Sequence, residues 1–346
     1  MQLKWISLLI LVVQNSMLVI VMKYARNQPG HSFLSSTAVV MSEVFKLLVS
    51  SIIYYRDEQS ARASHTPVRA HPLGFPPGFS LRKFWHELFG PESQWYKLTV
   101  PAVLYFVQNN LQYVAVGALD AATFQVTYQM KILTTALCSV LMLNRTLSSQ
   151  KWISLVLLTV GIALVQLPPE TFSSAPSKSQ SHSSDPGKGL IAVTVACVLS
   201  GLAGVYFEKI LKGSTASLWV RNVQLSLFTI IPGYLFGVLF MDGQKLRDGG
   251  GFFQAYTIWT WGAIATQALG GLVVAVVVKY ADNILKGFAT SISIILSSLA
   301  SVYLFAFQMT PQFFGGAGMV IYATYLYGLP DDAKGPYNKV AGSERR

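Results

Sequence analysis

Two lysines stand where a lysine is costly. Lys131 sits near the middle of the apolar stretch Ala121 to Leu143, and Lys286 lies about one turn into another, Ile284 to Phe307, just after Asp282 and Asn283. At membrane depth an ammonium group costs about 3 kcal/mol on insertion scales, so it needs a carboxylate, a water-filled cavity or an anionic ligand. The residues leading up to Lys131 (Thr123, Gln125, Thr127, Tyr128, Gln129) include no acid. Lys286 follows Asp282 at i, i+4 spacing, so a local ion pair is one reading and a bound anion the other; we adopt the second. Two ammonium groups facing one cavity call for a dianion, and a phosphate or pyrophosphate is one.

The other ionisable groups in apolar stretches have simpler explanations. Lys46 follows Glu43 by three residues on one helical face, which allows the two to neutralise each other as a structural or coupling pair. Arg221, close to the start of the stretch Leu218 to Phe240, can reach toward water or toward Glu208. Glu208 and Asp282 complete the set of candidate structural or coupling charges. The stretch Leu98 to Leu119 carries Tyr105, Gln108, Asn109, Asn110, Gln112 and Tyr113. Gln108, Asn109 and Gln112 share nearly one face, where amides suit the polar edge of a base or sugar hydroxyls, or else bond neighbouring helices. All five histidines lie between the apolar stretches, so a buried imidazole relay is not expected. There is no Walker A run, metal-ligand cluster or nucleophile-base constellation; neither an enzyme nor a bound cofactor is expected.

What must position these residues follows from composition. Of 346 residues, 52% are hydrophobic and 12% charged, about half the charged fraction of a soluble domain. The apolar residues gather into ten runs near the ~20-residue length that crosses a bilayer: Trp5 to Met22, Phe33 to Tyr55, Leu98 to Leu119, Ala121 to Leu143, Trp152 to Leu167, Leu190 to Leu211, Leu218 to Phe240, Ile258 to Val278, Ile284 to Phe307 and Phe313 to Leu329. The first is interrupted by Gln14 and Asn15 and precedes no cleavage site, so it is read as a retained span. A net charge of +11 would suggest nucleic acid for a soluble chain; here it is read as loop bias, with no nucleic-acid partner. Lys4, the six basic residues from Arg56 to Lys97, Arg145, Lys151, Lys209, Lys212, Lys279 and the tail fall on one side, which puts both termini in the cytosol. Residues 168–188, rich in Ser and Pro, separate a first five-helix half (1–167, with a cytosolic loop at 56–96) from a second (189–329) and a cytosolic tail (330–346). Halves with an odd number of spans enter the membrane in opposite senses, an inverted repeat. Lys131 and Lys286 then occupy corresponding helices. Gly201 with Gly204, Gly233 with Gly237, and Gly315, Gly316 and Gly318 allow close helix approach, and Pro101 and Pro232 can kink their helices. Cys138 and Cys197 are read as buried free thiols, and the sequon Asn144-Arg145-Thr146 as an unmodified cytosolic turn.

The runs Val107-Gln108-Asn109-Asn110-Leu111-Gln112-Tyr113, Ala121 through Ile132, Gly204-Val205-Tyr206-Phe207-Glu208-Lys209, Ser217 through Asn222 and Val278 through Phe288 resemble the nucleotide-sugar transporter family over nearly the whole chain. The resemblance implies an all-α membrane protein of ten transmembrane helices with the drug/metabolite transporter fold, two inverted five-helix halves. It also implies a Golgi (or ER) antiporter that exchanges a nucleotide sugar for a nucleoside monophosphate. By motif, Lys131 and Lys286 would grip phosphate, and Tyr105, Gln108, Asn109 and Asn222 would line the nucleotide end, with Phe124 and Tyr128 also set against the substrate. At Phe124 and Ser226 the CMP-sialic acid branch has tyrosines, and their absence favours a uridine nucleotide. The expected cargo is UDP-galactose or UDP-N-acetylglucosamine against UMP. The alternatives are CMP-sialic acid, a phosphorylated sugar, or a non-transporting scaffold for glycosyltransferases; a homodimer or a glycosyltransferase complex is compatible with each.

Overall fold

The computed structural model describes residues 2–26, 33–63, 81–119, 121–167, 186–213, 216–248, 251–305 and 309–330, and all regular structure among them is helical. In chain order the α-helices are α1 (Gln2–Arg26), α2 (Ser35–Ala63), α3 (Leu81–Phe89), α4 (Thr99–Ala118), α5 (Ala121–Tyr128), α6 (Met130–Leu143), α7 (Ser149–Gln166), α8 (Pro186–Gly213), α9 (Leu218–Pro232), α10 (Gly243–Asp248), α11 (Ile258–Tyr280), α12 (Asn283–Phe305) and α13 (Pro311–Gly328). A helix satisfies its backbone N–H and C=O groups internally, which hydrocarbon requires of any open-ended segment. The ends carry their own signals. Ser148 Oγ accepts from Lys151 N, Thr257 and Thr260 form a reciprocal capping box, and Thr310 caps α13 with Pro311 in its first turn.

The protein is a multi-pass membrane bundle. Eight helices among the described residues are long and apolar enough to cross a membrane: α1, α2, α5 with α6, α7, α8, α9 with its continuation, α11 and α12. The other two of the ten expected runs are α4 and α13, helical over 20 and 18 residues and packed lengthwise on α8 and α7. Amides on α4 and glycines and tyrosines on α13 dilute their apolar content. Elsewhere α1 packs along α11 and α12, α6 along α8, and α2 along α9 and α11. Large apolar side chains such as Leu9, Leu141, Ile191, Phe240 and Ile321 face outward, the arrangement a lipid solvent favours.

Three expectations change in detail. The fourth run is two helices, because Gln129 breaks it with i to i+3 backbone bonds (Gln129 N to Val126 O, 3.2 Å; Ile132 N to Gln129 O, 3.0 Å), next to Lys131. Pro232 ends α9, and the chain continues as a π-helical stretch, Gly233–Met241. Residues 56–96 are in large part structured: α2 runs on to Ala63, and α3 docks with Phe84 and Leu88 on Tyr54, Val220 and Val223. The period of four between those two apolar residues overrides the charged composition around them. Tyr54 O–H donates to Glu87 (2.7 Å), and Lys83 Nζ meets Glu58 (2.8 Å), which raises the pKa of the ammonium. Residues 64–80, most of the 168–188 linker, and the tail from 331 onward lie outside the described residues.

α7 and α13 touch backbone to backbone at Gly161 and Gly316, where a Cβ on Gly316 would lie 2.6 Å from the Gly161 carbonyl oxygen. At Gly315 a Cβ would meet nothing. Gly316→Ala should therefore destabilise the fold by about 1–3 kcal/mol, and Gly315→Ala should not, as read by thermal unfolding of the purified protein. Equal melting temperatures for the two variants would refute the close crossing.

Candidate functional site

α6 and α12 bring their lysines to one cavity. Lys131 is the second residue of α6, directly after the break at Gln129, and Lys286 lies one turn into α12. Both line a cavity of about 260 Å³, together with Tyr105 of α4, Tyr128 at the end of α5, Asn283 and Gln166. Close crossing of α6 over α8 sets the depth of Lys131. A Cβ on Gly201 would sit 2.8 Å from the Thr134 carbonyl carbon, and Thr134 Oγ1 donates to Cys197 O (2.7 Å).

Neither cavity amine has a carboxylate partner among the described residues. Lys131 Nζ lies over the Tyr128 ring, 4.1 Å from its centroid, a cation–π contact that favours the charge without consuming it. Gln112 Nε2 donates to the Tyr128 oxygen (2.8 Å), and Phe124 stacks behind the ring at 5.5 Å and 11°. Gln129 Nε2 donates to Gln166 Oε1 (2.5 Å), tying the helix break to α7 on the cavity wall.

The structure thus gathers four of the expected substrate residues, Lys131, Lys286, Tyr105 and Tyr128, on one cavity, with Phe124 directly behind it. Gln108 is buried (5% exposed), and its Oε1 has no partner. Asn222 is buried on α9 (1% exposed) with Nδ2 unpartnered. Asn109 is exposed on the flank of α4 and does not line the cavity. Asn283 and Gln166 were not singled out from the sequence. Gln166 had a readable signal, an amide at the end of an apolar run; Asn283 was seen only as part of a motif.

The carboxylates near the site are engaged elsewhere. Glu208, fully buried on α8, accepts from Arg145 Nη2 (2.6 Å) and Lys212 Nζ (2.8 Å) on one oxygen, and from the backbone N and Nδ2 of Asn283 (both 3.0 Å) on the other. Asp282 faces Arg145 Nη1 at 3.1 Å. Arg221, expected near water or near Glu208, is instead buried (3% exposed) and donates to Ser93 O (2.6 Å) and Gln224 (3.0 Å). The turn after α3, which the sequence reading leaves as loop, supplies that acceptor and so buries the guanidinium. Glu43 and Lys46 do pair, at 2.6 Å, beside a second polar cavity of about 220 Å³ lined by Gln14, Asn15 and Gln267.

The described residues contain no group of three or more His, Cys, Asp or Glu side chains placed to hold a metal ion. Residues 1–328 match the family model described as nucleotide-sugar transporter. A UDP-galactose translocator of Mus musculus is 50% identical over 332 residues, covering 96% of this chain and 80% of the relative. A UDP-galactose transporter of Schizosaccharomyces pombe is 47% identical (96% and 90% covered), and a UDP-N-acetylglucosamine transporter of Homo sapiens 48% identical (96% and 98% covered). A solved crystal structure of 11% identity superposes with a TM-score of 0.61 over 93% of this chain and 96% of its own, a likeness of fold alone.

Removing one member of a buried ion pair strands the other. Glu43→Gln should lower stability by about 3 kcal/mol, and Glu43→Gln/Lys46→Met should recover most of the loss. Chemical or thermal unfolding in detergent measures both; a double variant no more stable than the single would contradict the pairing.

Proposed function

Because the chain belongs to the nucleotide-sugar transporter family, we propose that it exchanges a UDP-sugar, UDP-galactose or UDP-N-acetylglucosamine, for UMP across a Golgi membrane, with Lys131 and Lys286 as the phosphate site. The observation that carries this reading is the pair of amines on one cavity, neither in an ion pair among the described residues. A diphosphate or monophosphate supplies the missing charge, and the guest's charge offsets what the two ammonium groups lose by leaving water. The names of the relatives support a uridine nucleotide, as does Phe124, which offers a ring face and no phenol. Tyr105, with Gln108 and Asn222 deeper in the bundle, is assigned to the nucleotide end, and Asn109 stays a weaker member of that set because it faces away from the cavity.

Ten spans in two inverted halves, with both termini cytosolic, is the architecture we propose. Its support is the packing. Numbering α1, α2, α4, α5 with α6, and α7 as one half and α8, α9, α11, α12 and α13 as the other, the principal contacts other than α2 on α11, which α9 on α4 answers only weakly, have counterparts under exchange of halves. α1 on α11 answers to α8 on α4, α1 on α12 to α8 on α6, and α2 on α9 and α7 on α13 map onto themselves. Lys131 and Lys286 then sit on corresponding helices, and alternating access becomes a rocking of halves about them. Two unpaired amines disfavour reorientation of the empty cavity, which couples inward and outward flux.

In proteoliposomes preloaded with UMP, the wild-type chain should take up radiolabelled UDP-galactose or UDP-N-acetylglucosamine. Lys131→Gln and Lys286→Gln should each reduce that exchange by at least about 100-fold, equal to roughly 2.7 kcal/mol, with folding retained. Unimpaired exchange in either variant would remove that lysine from the site, and competition by CMP rather than UMP would move the cargo to a cytidine nucleotide.

A further inference from the structure

We propose that Arg145 is a positioning residue for the anion site, one that keeps Lys286 available by holding the carboxylates within its reach. The inference rests on the reading of Lys131 and Lys286 as the phosphate site.

Asp282 and Lys286 are one helical turn apart, with the Lys286 backbone N–H donating to Asp282 O at 3.0 Å. Their i, i+4 spacing is that of an ion pair, yet none is made between them. Asp282 uses Oδ1 to cap α12, accepting from Leu285 N at 2.7 Å, and turns Oδ2 to Arg145 Nη1 at 3.1 Å. The other terminal nitrogen of the same guanidinium reaches Glu208 at 2.6 Å. One planar fork therefore holds two carboxylates, a geometry that a lysine cannot reproduce.

The charges of this cluster balance without help from the cavity. Arg145 and Lys212 supply two cations, and Glu208 and Asp282 two anions. Lys212 Nζ is further fixed by Ala281 O at 2.5 Å, and Asn283, whose Nδ2 bonds Glu208 and Gly204 O, carries the same network to the cavity wall. Loss of the guanidinium would leave the cluster one negative charge in excess, with the Lys286 amine one turn from Asp282. The lysine would then be neutralised from within, and a phosphate would meet one effective amine instead of two. Arg145 lies in the turn that follows α6, the helix whose second residue is Lys131.

Binding of UMP to the full-length purified protein, measured by calorimetry, tests this. Arg145→Gln should weaken binding by about tenfold, or 1.4 kcal/mol, and Arg145→Gln/Asp282→Asn should return to within about threefold of wild type. Asparagine still caps the helix; because Asp282→Asn also relieves a stranded carboxylate, unfolding is measured beside binding, and a merely structural role for Arg145 would lower the melting temperature while the folded protein kept wild-type UMP affinity. If Arg145→Gln does not fold, Arg145→Lys carries the test, with a smaller weakening that Asp282→Asn again relieves. Wild-type affinity in a folded Arg145 variant, or no rescue by Asp282→Asn, would overturn the proposal while Lys286→Gln still lost UMP. Undiminished UMP binding by Lys286→Gln would instead overturn the phosphate site itself.

Discussion

Two lysine amines facing one cavity, on helices long and apolar enough to cross a membrane, are the constraint around which this bundle is arranged. At membrane depth each would cost several kcal/mol unless something anionic or wet surrounds it, and among the described residues the nearby acids are bound to other bases. Glu43 is paired with Lys46, Glu208 with Arg145 and Lys212, and Asp282 with Arg145. The fold therefore concentrates unspent positive charge in one place, and that place is a cavity with aromatic and amide walls. Its chemistry suits a phosphorylated, hydroxyl-rich guest better than an apolar one.

Close packing turns that charge into a site of fixed geometry. Where α6 crosses α8 at Gly201, and α7 crosses α13 at Gly161 and Gly316, backbones approach with no side chain between them, as expected where van der Waals contact rather than the hydrophobic effect holds helices together. The Lys131 amine rests on the Tyr128 ring, which Gln112 and Phe124 hold from behind. The break at Gln129 and the π-helical stretch after Pro232 are the places where the regular ladder of hydrogen bonds changes pitch, and such irregularities are tolerated in membranes where they are shielded by protein or line a cavity.

Much of this was legible in the residues themselves. Runs of about 20 apolar residues locate the helices, and the membrane's demand for internal hydrogen bonding makes that signal strong. Lys131 announced itself because nothing acidic lies nearby in sequence, and the Glu43 to Lys46 spacing foretold a pair that the structure contains. Contacts between distant segments were not legible. Arg145, legible as a loop charge and the middle of a sequon, binds Glu208 63 positions away, and Asp282, one turn before Lys286 in sequence, pairs instead with that arginine from the turn after α6. Arg221, close to the start of its apolar run, has in sequence a route to water or to Glu208, but its acceptor is the carbonyl of Ser93, 128 positions away. Periodicity fixes which face a residue occupies; which base meets which acid depends on how helices cross, and no local pattern encodes that.

A structure of the chain with UMP bound, determined in a lipid nanodisc, bears most directly on the central assignment. Density for the phosphate within about 3 Å of both the Lys131 and Lys286 amines, as charge-assisted hydrogen bonds require, is the expected result. A phosphate bound elsewhere, with the two amines turned to headgroups or to carboxylates, would contradict it.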